Sequence, residues 1–324
     1  MRSTNNTSLA KAEQFLKNCI RGGMAHSLVL DTSLTWVKPY PEVTGYLVSY
    51  FCTNGQSGEK VVEEALDRLL EVQHSSGGFS SFYDTNNLYS FDTGQIMYGL
   101  LSAYQVTRRE KYLKSAKRAG DFLLSMQLPS GLIFPIYDTK NSTKIVYQRS
   151  RDGSNWGSIF SYIQVKNAEG LLLLSKLTED KRYARSASKL ANIKLTEHDY
   201  DYTHPFAYYL EGMLALGKKE LVKQVLRKRV IPRLKPSGYI AYYPECDYAY
   251  TSGSVQMGIL LWKAGYKNQA KLILDWARVV QGNSESGGLY QYALPSGLPD
   301  YSVHGEINSW GTKYYAELLR LVVN

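Results

Sequence analysis

The chain has 324 residues, enough for one large or two medium domains, and its 44% hydrophobic and 21% charged content is that of a globular protein. Its formal net charge of +9 would suit an anionic partner, yet the excess is concentrated at residues 111–118, 181–194 and 218–235, which read as the wet faces of helices. No recognition helix, zinc finger or RNP-like motif accompanies that charge, which argues against nucleic acid, and no run of about eighteen apolar residues predicts a membrane span.

Residues 1–6 are polar and lack the basic start and apolar core of a secretory signal, so a cytoplasmic location is expected. Residues 8–20 predict an outer helix with Leu9, Ala12, Phe15, Leu16 and Cys19 as its buried stripe. A loop over residues 21–40 carries Trp36. Pro41 followed by Glu42 then starts a helix over 41–51 that is apolar nearly all round. Residues 59–73 alternate differently: Val61, Val62, Ala65, Leu66, Leu69 and Leu70 make one stripe and charges fill the other face. The stretch 91–104 is again apolar all round, with Asp92 placed as its N-cap. Gly94 and Gly99 inside it should each cost about 1 kcal/mol relative to Ala, which predicts a neighbour that needs the room.

The alternation continues. Tyr112, Leu113, Ala116, Leu123 and Leu124 form a one-sided stripe, as do residues 221–230 and 272–280, whereas residues 158–177, 203–216, 250–264 and 306–322 read as buried helices. Outer helices are followed by Gly-bearing turns, at Ser75-Ser76-Gly77-Gly78-Phe79, Pro129-Ser130-Gly131-Leu132, Pro236-Ser237-Gly238-Tyr239 and Glu285-Ser286-Gly287-Gly288-Leu289, each leading into a β-prone segment. A loose period of about fifty residues per helix pair, with short hairpins at one end and long loops at the other, predicts an all-α toroid of alternating inner and outer helices. It spans residues 1–324 as a single domain, its functional loops gathered at one end. Cys19, Cys52 and Cys246 are scattered and odd in number, which predicts no disulfide framework; no ligand cluster predicts a metal, and no motif predicts a cofactor.

Residues four and seven apart share a helix face. By that spacing Tyr162, Lys166 and Glu169, then His204, Tyr208 and Glu211, then Glu306, Trp310 and Lys313 should point three polar stripes into one central hollow. Each residue also has a plain structural explanation. Asp92 can be a cap, His204 can satisfy local backbone, Glu42 and Glu306 can complement helix N-termini, and Glu211 and Glu169 can pair with Lys166 or Lys313. Twenty-seven tyrosines are the compositional anomaly. With Trp36, Trp156 and Trp310 they supply rings that stack on sugars and hydroxyls that bond them.

The segments Tyr40-Pro41-Glu42-Val43-Thr44-Gly45-Tyr46, Phe91-Asp92-Thr93-Gly94-Gln95, Asn155-Trp156-Gly157, His204-Pro205-Phe206-Ala207-Tyr208, Thr251-Ser252-Gly253-Ser254-Val255-Gln256 and Ile307-Asn308-Ser309-Trp310-Gly311-Thr312-Lys313 carry a resemblance. Together they resemble a six-hairpin, helical-toroid family encoded with bacterial polysaccharide-biosynthesis genes, related in shape to (α/α)6 glycan-processing enzymes. The resemblance covers nearly the whole chain and implies the toroid and an oligosaccharide or polysaccharide partner; it brings no catalytic assignment. The Gly-Gly-Phe turns also look like those of squalene-cyclase and prenyltransferase repeats, but no DxDD or DDxxD cluster is present.

Two chemistries follow for a carbohydrate-active enzyme. The first is proton abstraction at C5 of a uronate, of epimerase or lyase type, with His204, Tyr208 or Tyr250 as base and Lys166 or Arg151 neutralising the sugar carboxylate. The second is glycosidic hydrolysis by a carboxylate pair drawn from Glu42, Asp92, Glu211 and Glu306. Tyrosine content and positive charge favour the first. The expected binding residues are Trp36, Tyr40, Tyr46, Gln95, Arg149, Arg151, Asn155, Trp156, Tyr162, Lys166, Gln256, Glu306, Asn308, Trp310 and Lys313. A non-catalytic glycan-binding scaffold would use the same residues.

Overall fold

The computed structural model describes residues 2–29, 35–81, 86–146, 162–302 and 305–323. Its helices are α1 (Arg2–Cys19), α2 (Pro41–Thr53), α3 (Lys60–Val72), α4 (Ser90–Thr107), α5 (Glu110–Met126), α6 (Ala168–Thr178), α7 (Lys181–Leu190), α8 (Thr203–Ala215), α9 (Lys219–Val225), α10 (Thr251–Lys263), α11 (Lys267–Gly282) and α12 (Ser309–Val323). The even-numbered helices form the inner ring. Each packs on the next even-numbered helix, and α12 packs on α2 to close the circle. α2 is buried without a break from Pro41 to Cys52, and α8 from Thr203 to Met213, while α3 buries only Val62, Ala65, Leu66 and Leu69. The first helix completes the last pair: α1 packs on α12, where Arg320 bonds both Glu13 of α1 and, at 2.9 Å, the hydroxyl of Tyr50 of α2.

The interior glycines answer to crowding between inner helices. A Cβ on Gly99 would lie 2.5 Å from the Gly45 carbonyl oxygen, and one on Gly45 would lie 2.7 Å from the Ile96 Cα. The backbones of α2 and α4 therefore touch, and a side chain at either position would push the ring open.

The turns after the outer helices are repeated joints. Gly77, Gly131 and Gly238 have φ of +95°, +98° and +94°. A Cβ there would lie 2.2, 2.4 and 2.2 Å from the carbonyl oxygens of Arg118 in α5, Lys189 in α7 and Leu272 in α11. Each turn thus seats on the next outer helix of the ring. A glutamine amide pins three such joints. Gln73 donates to Gly77 and Ser115, Gln127 to Gly131 and Ser186, and Gln281 to Gly287 and Ser8, all through backbone carbonyls at 2.8–3.0 Å. On the inner side, Thr44, Thr93, Ser254 and Thr312 accept the loop amides of Ala25, Phe79, Ile240 and Leu289.

Several helix starts differ from the sequence reading. α4 begins at Ser90 after an extended Tyr89, so Asp92 sits inside the first turn and is not the N-cap. The expected helix over 158–177 lies partly outside the described residues and enters α6 through a 3₁₀ turn, Tyr162–Asn167. The outer helix expected over 221–230 passes from α9 into a π-helical turn, Leu226–Val230. Glu306 belongs to a strand, Glu306–Asn308, that pairs antiparallel with Leu28–Val29 and Leu289–Tyr290. Tyr250 likewise ends a strand, Ala249–Tyr250, paired with Tyr292–Ala293. These short ladders, with a third over Asn87–Tyr89, Ile136–Asp138 and Thr143–Ile145, satisfy the backbone of the long loops at the end where the inner helices begin. The three cysteines are free and buried, and among the described residues no helix is long and apolar enough to cross a membrane.

Candidate active site

Glu42 and Asp92 stand in the first turns of the adjacent helices α2 and α4, both almost wholly buried. Burial raises the Glu42 carboxyl from 4.5 to about 7, against the pull of the Tyr40 and Tyr46 hydroxyls beside it. Asp92 is pushed well above the ordinary carboxylate range, first by burial and then by the charge of Glu42, while Ser81 opposes the shift. Ionising both carboxyls together is disfavoured, so the pair titrates as a unit that keeps a proton near neutral pH.

His204 opens α8 opposite this pair in the ring. Its Nδ1 lies 2.5 Å from Oε1 of Gln256 and 3.3 Å from the Ser252 hydroxyl, and its Nε2 lies 3.0 Å from the hydroxyl of Tyr208. Burial lowers its pKa to about 3, only partly opposed by Gln256, so the imidazole is neutral. The ring of Tyr250 lies 5.0 Å from it, tilted by 34°. Behind stand Tyr242, Tyr248 and Tyr292, with ring centroids 5.7–6.3 Å apart, Tyr242 and Tyr292 lying 5.3 and 5.0 Å from Tyr250. Burial raises the phenols of Tyr208 and Tyr250 well above their usual value. Both phenols therefore rest in the neutral form.

Seven residues beyond His204, about 10 Å along the helix axis, Glu211 belongs to a second polar layer. Lys166 bridges Glu169 at 2.7 Å and Glu211 at 2.8 Å, and Lys313 pairs with Glu317 at 2.8 Å. Burial pulls the Lys166 ammonium down, but Glu169 and Glu211 overcome it and hold its pKa above the usual value. Glu211 is raised by burial, against the attraction of Lys166. The Lys313 ammonium also lies 4.2 Å from the ring centre of Tyr314. This layer lines a cavity of about 500 Å³ reached by all six inner helices, whose wall includes Tyr46, Gln95, Tyr98, Lys166, Glu211 and Lys313.

The three sequence stripes contribute unequally to this cavity. Lys166, Glu169, Glu211 and Lys313 line it, whereas Tyr162 meets Tyr209 edge-on at 6.3 Å and Trp310 meets Tyr40 edge-on at 6.3 Å. The Glu306 stripe fails because its first member is in a strand. Trp36 is half-buried against the core, with the Arg21 guanidinium over its ring. Gln95 donates to Asn167 at 3.2 Å, and Asn308 receives the Gly311 amide at 2.6 Å. Arg149, Arg151, Asn155 and Trp156 lie outside the described residues.

The structure adds residues that the sequence reading missed: Tyr314 and Glu317, each four positions beyond a residue it chose on α12, and the tyrosines 242 and 292. The helical spacing from Trp310 and Lys313 was the available signal for the first two. The tyrosines meet through loop and strand pairing, which leaves no periodic trace.

Glu306 makes a separate prediction. Burial raises its carboxyl from 4.5 to about 7, opposed by Ser27. Because the folded-state value is the higher one, its contribution to stability is complete below about 4.5 and is lost as the pH rises through 7, by roughly 3 kcal/mol. Glu306→Gln should accordingly gain melting temperature over the wild type at pH 8 and much less at pH 5. An offset equal at the two pH values would show that burial does not shift this group.

Residues 64–223, a little under half of the chain, match glycosyl hydrolase family 47. No curated protein matches significantly. Among solved structures, cellobiose 2-epimerase from Bacillus thermoamylovorans superposes with a TM-score of 0.75 at 13% identity over 99% of this chain and 100% of that one. The chain is an (α/α)6 toroid. A sugar epimerase from a ruminal bacterium gives 0.74 at 12% identity over 100% and 98% of the two chains, and an unsaturated glucuronyl hydrolase specific for heparin gives 0.70 at 13% over 99% and 97%. The family 47 match includes Asp92, His204, Tyr208 and Glu211 but not Glu42.

Proposed function

We propose that this toroid is a carbohydrate-active enzyme that cleaves a glycosidic bond with Glu42 and Asp92. The observation that carries the reading is the coupled, buried carboxyl pair at the start of α2 and α4, one member of which holds its proton up to about pH 7. Once Glu42 has ionised the pair holds a single proton on Asp92, which is then the acid for the leaving oxygen, with the Glu42 carboxylate as the base for water. The tyrosines around His204 supply stacking faces, and the family 47 match supports hydrolysis. The epimerase and glucuronyl-hydrolase neighbours support the glycan class through their shared fold.

The uronate reading needs a cation near the base. Lys166 is committed to two carboxylates in the other layer, and Arg151 lies outside the described residues. One observation favours a second reading, epimerisation of a neutral sugar: the neutral imidazole of His204, hydrogen-bonded to Tyr208, can shuttle a proton at a sugar carbon.

Incubation with neutral and uronate-containing oligosaccharides in deuterated water separates these. New reducing ends are the expected result. Deuterium at a sugar carbon without cleavage would replace the first reading by the second, and saturable binding with neither signal would leave a glycan-binding scaffold.

A further inference from the structure

We infer that Glu211 is a positioning residue which, through the Gln256 amide, fixes the tautomer of His204 and so the direction in which Tyr208 presents its hydroxyl. The argument rests on what each buried atom can donate. Glu211 lies 2.8 Å from the Lys166 ammonium and is held as a carboxylate by that contact, so it only accepts hydrogen bonds. The Gln256 atom 3.2 Å from its Oε2 must then be the amide nitrogen. That orientation turns Oε1 of Gln256, a pure acceptor, toward Nδ1 of His204 at 2.5 Å. Nδ1 therefore carries the hydrogen. Since the ring is neutral, Nε2 offers its lone pair, and the Tyr208 hydroxyl 3.0 Å away donates to it. The Ser252 hydroxyl, 3.3 Å from Nδ1, accommodates this tautomer as a weaker acceptor.

The chain of donors thus has one direction, from Tyr208 to His204 to Gln256 to Glu211, anchored by Lys166. Reversing the Gln256 amide would set two acceptors together at Glu211, an unsatisfied buried contact that costs about 1–3 kcal/mol, and would move the ring hydrogen to Nε2. Its consequence reaches the other layer. With its proton directed at Nε2, Tyr208 turns its oxygen lone pairs toward the hydroxyls of Tyr46 and Tyr314, and a sugar hydroxyl would act there in place of one of them. The role of that hydroxyl contact rests on the glycan reading above; the tautomer does not.

The experiment is a long-range proton–nitrogen NMR correlation on the ¹⁵N-labelled full chain. The protein has five histidines, and a His204→Gln sample identifies the signal of interest. The wild type should show His204 with hydrogen on Nδ1 and a bare Nε2. In Glu211→Gln the new amide can offer hydrogen to Gln256, so the single tautomer should be lost in favour of the Nε2–H form. A wild-type ring protonated at Nε2, or a Glu211→Gln ring unchanged from wild type, would overturn the inference, and the first of these needs no variant to fold. Turnover of the oligosaccharides is read on the same samples. The expected tautomers without any turnover by the wild type would overturn the glycan-enzyme reading while supporting this assignment.

Discussion

Glu42→Gln is expected to lower glycosidic cleavage by about 10²–10⁴-fold, the usual contribution of a positioned general base, with the folded state retained. The glutamine keeps the shape of the side chain but cannot ionise to take a proton from water. The pH dependence carries the sharper test. Glu42 is protonated below about 7 because burial disfavours its charge, and the Asp92 carboxyl beside it is raised by the same burial and by the Glu42 charge. Wild-type turnover should therefore rise as the pH climbs through about 7, where Glu42 ionises while Asp92 keeps its proton, and the residual activity of the variant should lose that limb. Stability moves the opposite way. A carboxyl whose folded-state value is raised from 4.5 withdraws its contribution as the pH climbs through 7, so the variant should melt above the wild type at pH 8 and near it at pH 5. Wild-type turnover in Glu42→Gln would remove the residue from the chemistry, whatever its effect on melting.

The ring was legible in the sequence because two patterns encode it directly. All-round apolarity marks a helix buried on both sides, one-sided apolarity marks its outer partner, and their alternation along the chain has few other solutions. Gly94 and Gly99 announced close packing, and the contact of Gly99 with Gly45 is what they announced. The candidate site was legible only in part. Helical spacing found His204, Tyr208, Glu211, Lys166 and Lys313, since these lie on helices or at their edges. It could not say which members of a stripe line the cavity and which pack against a neighbouring ring, as Tyr162 does on Tyr209. It also extended helices through Glu306 and Tyr250, where local apolarity looks the same whether the backbone is in a helix or in a two-residue strand. Those strands exist because loops distant in sequence pair with one another, as Leu28 does with Ile307. No window of the sequence contains that information. The glutamine joints at Gln73, Gln127 and Gln281 were equally hidden, because each bonds a carbonyl on an outer helix of another pair.

The second large effect is expected in the layer that the sequence reading treated as part of a catalytic funnel. Lys166→Met should destabilise the protein by about 3–5 kcal/mol, the cost of leaving buried charges without their partner. The ammonium is 8% exposed and holds two carboxylates within 2.8 Å. Methionine nearly fills its volume but leaves Glu169 and Glu211 facing each other across an apolar side chain. Glu169, at 23% exposure, can turn part of its charge to water; Glu211, at 10%, cannot. Glu211 would instead take up a proton, its carboxyl already raised by burial and now freed from the lysine that opposes the shift. The deficit measured by urea unfolding should therefore be larger at pH 8 than at pH 5, and Glu211→Gln introduced into the Lys166→Met background should recover a substantial part of it at pH 8. If the single variant unfolds at the wild-type urea midpoint, the Lys166 cluster is not a buried electrostatic anchor. The anchoring of Glu211 as a carboxylate, on which the direction of the hydrogen-bond chain to His204 depends, would then need another source.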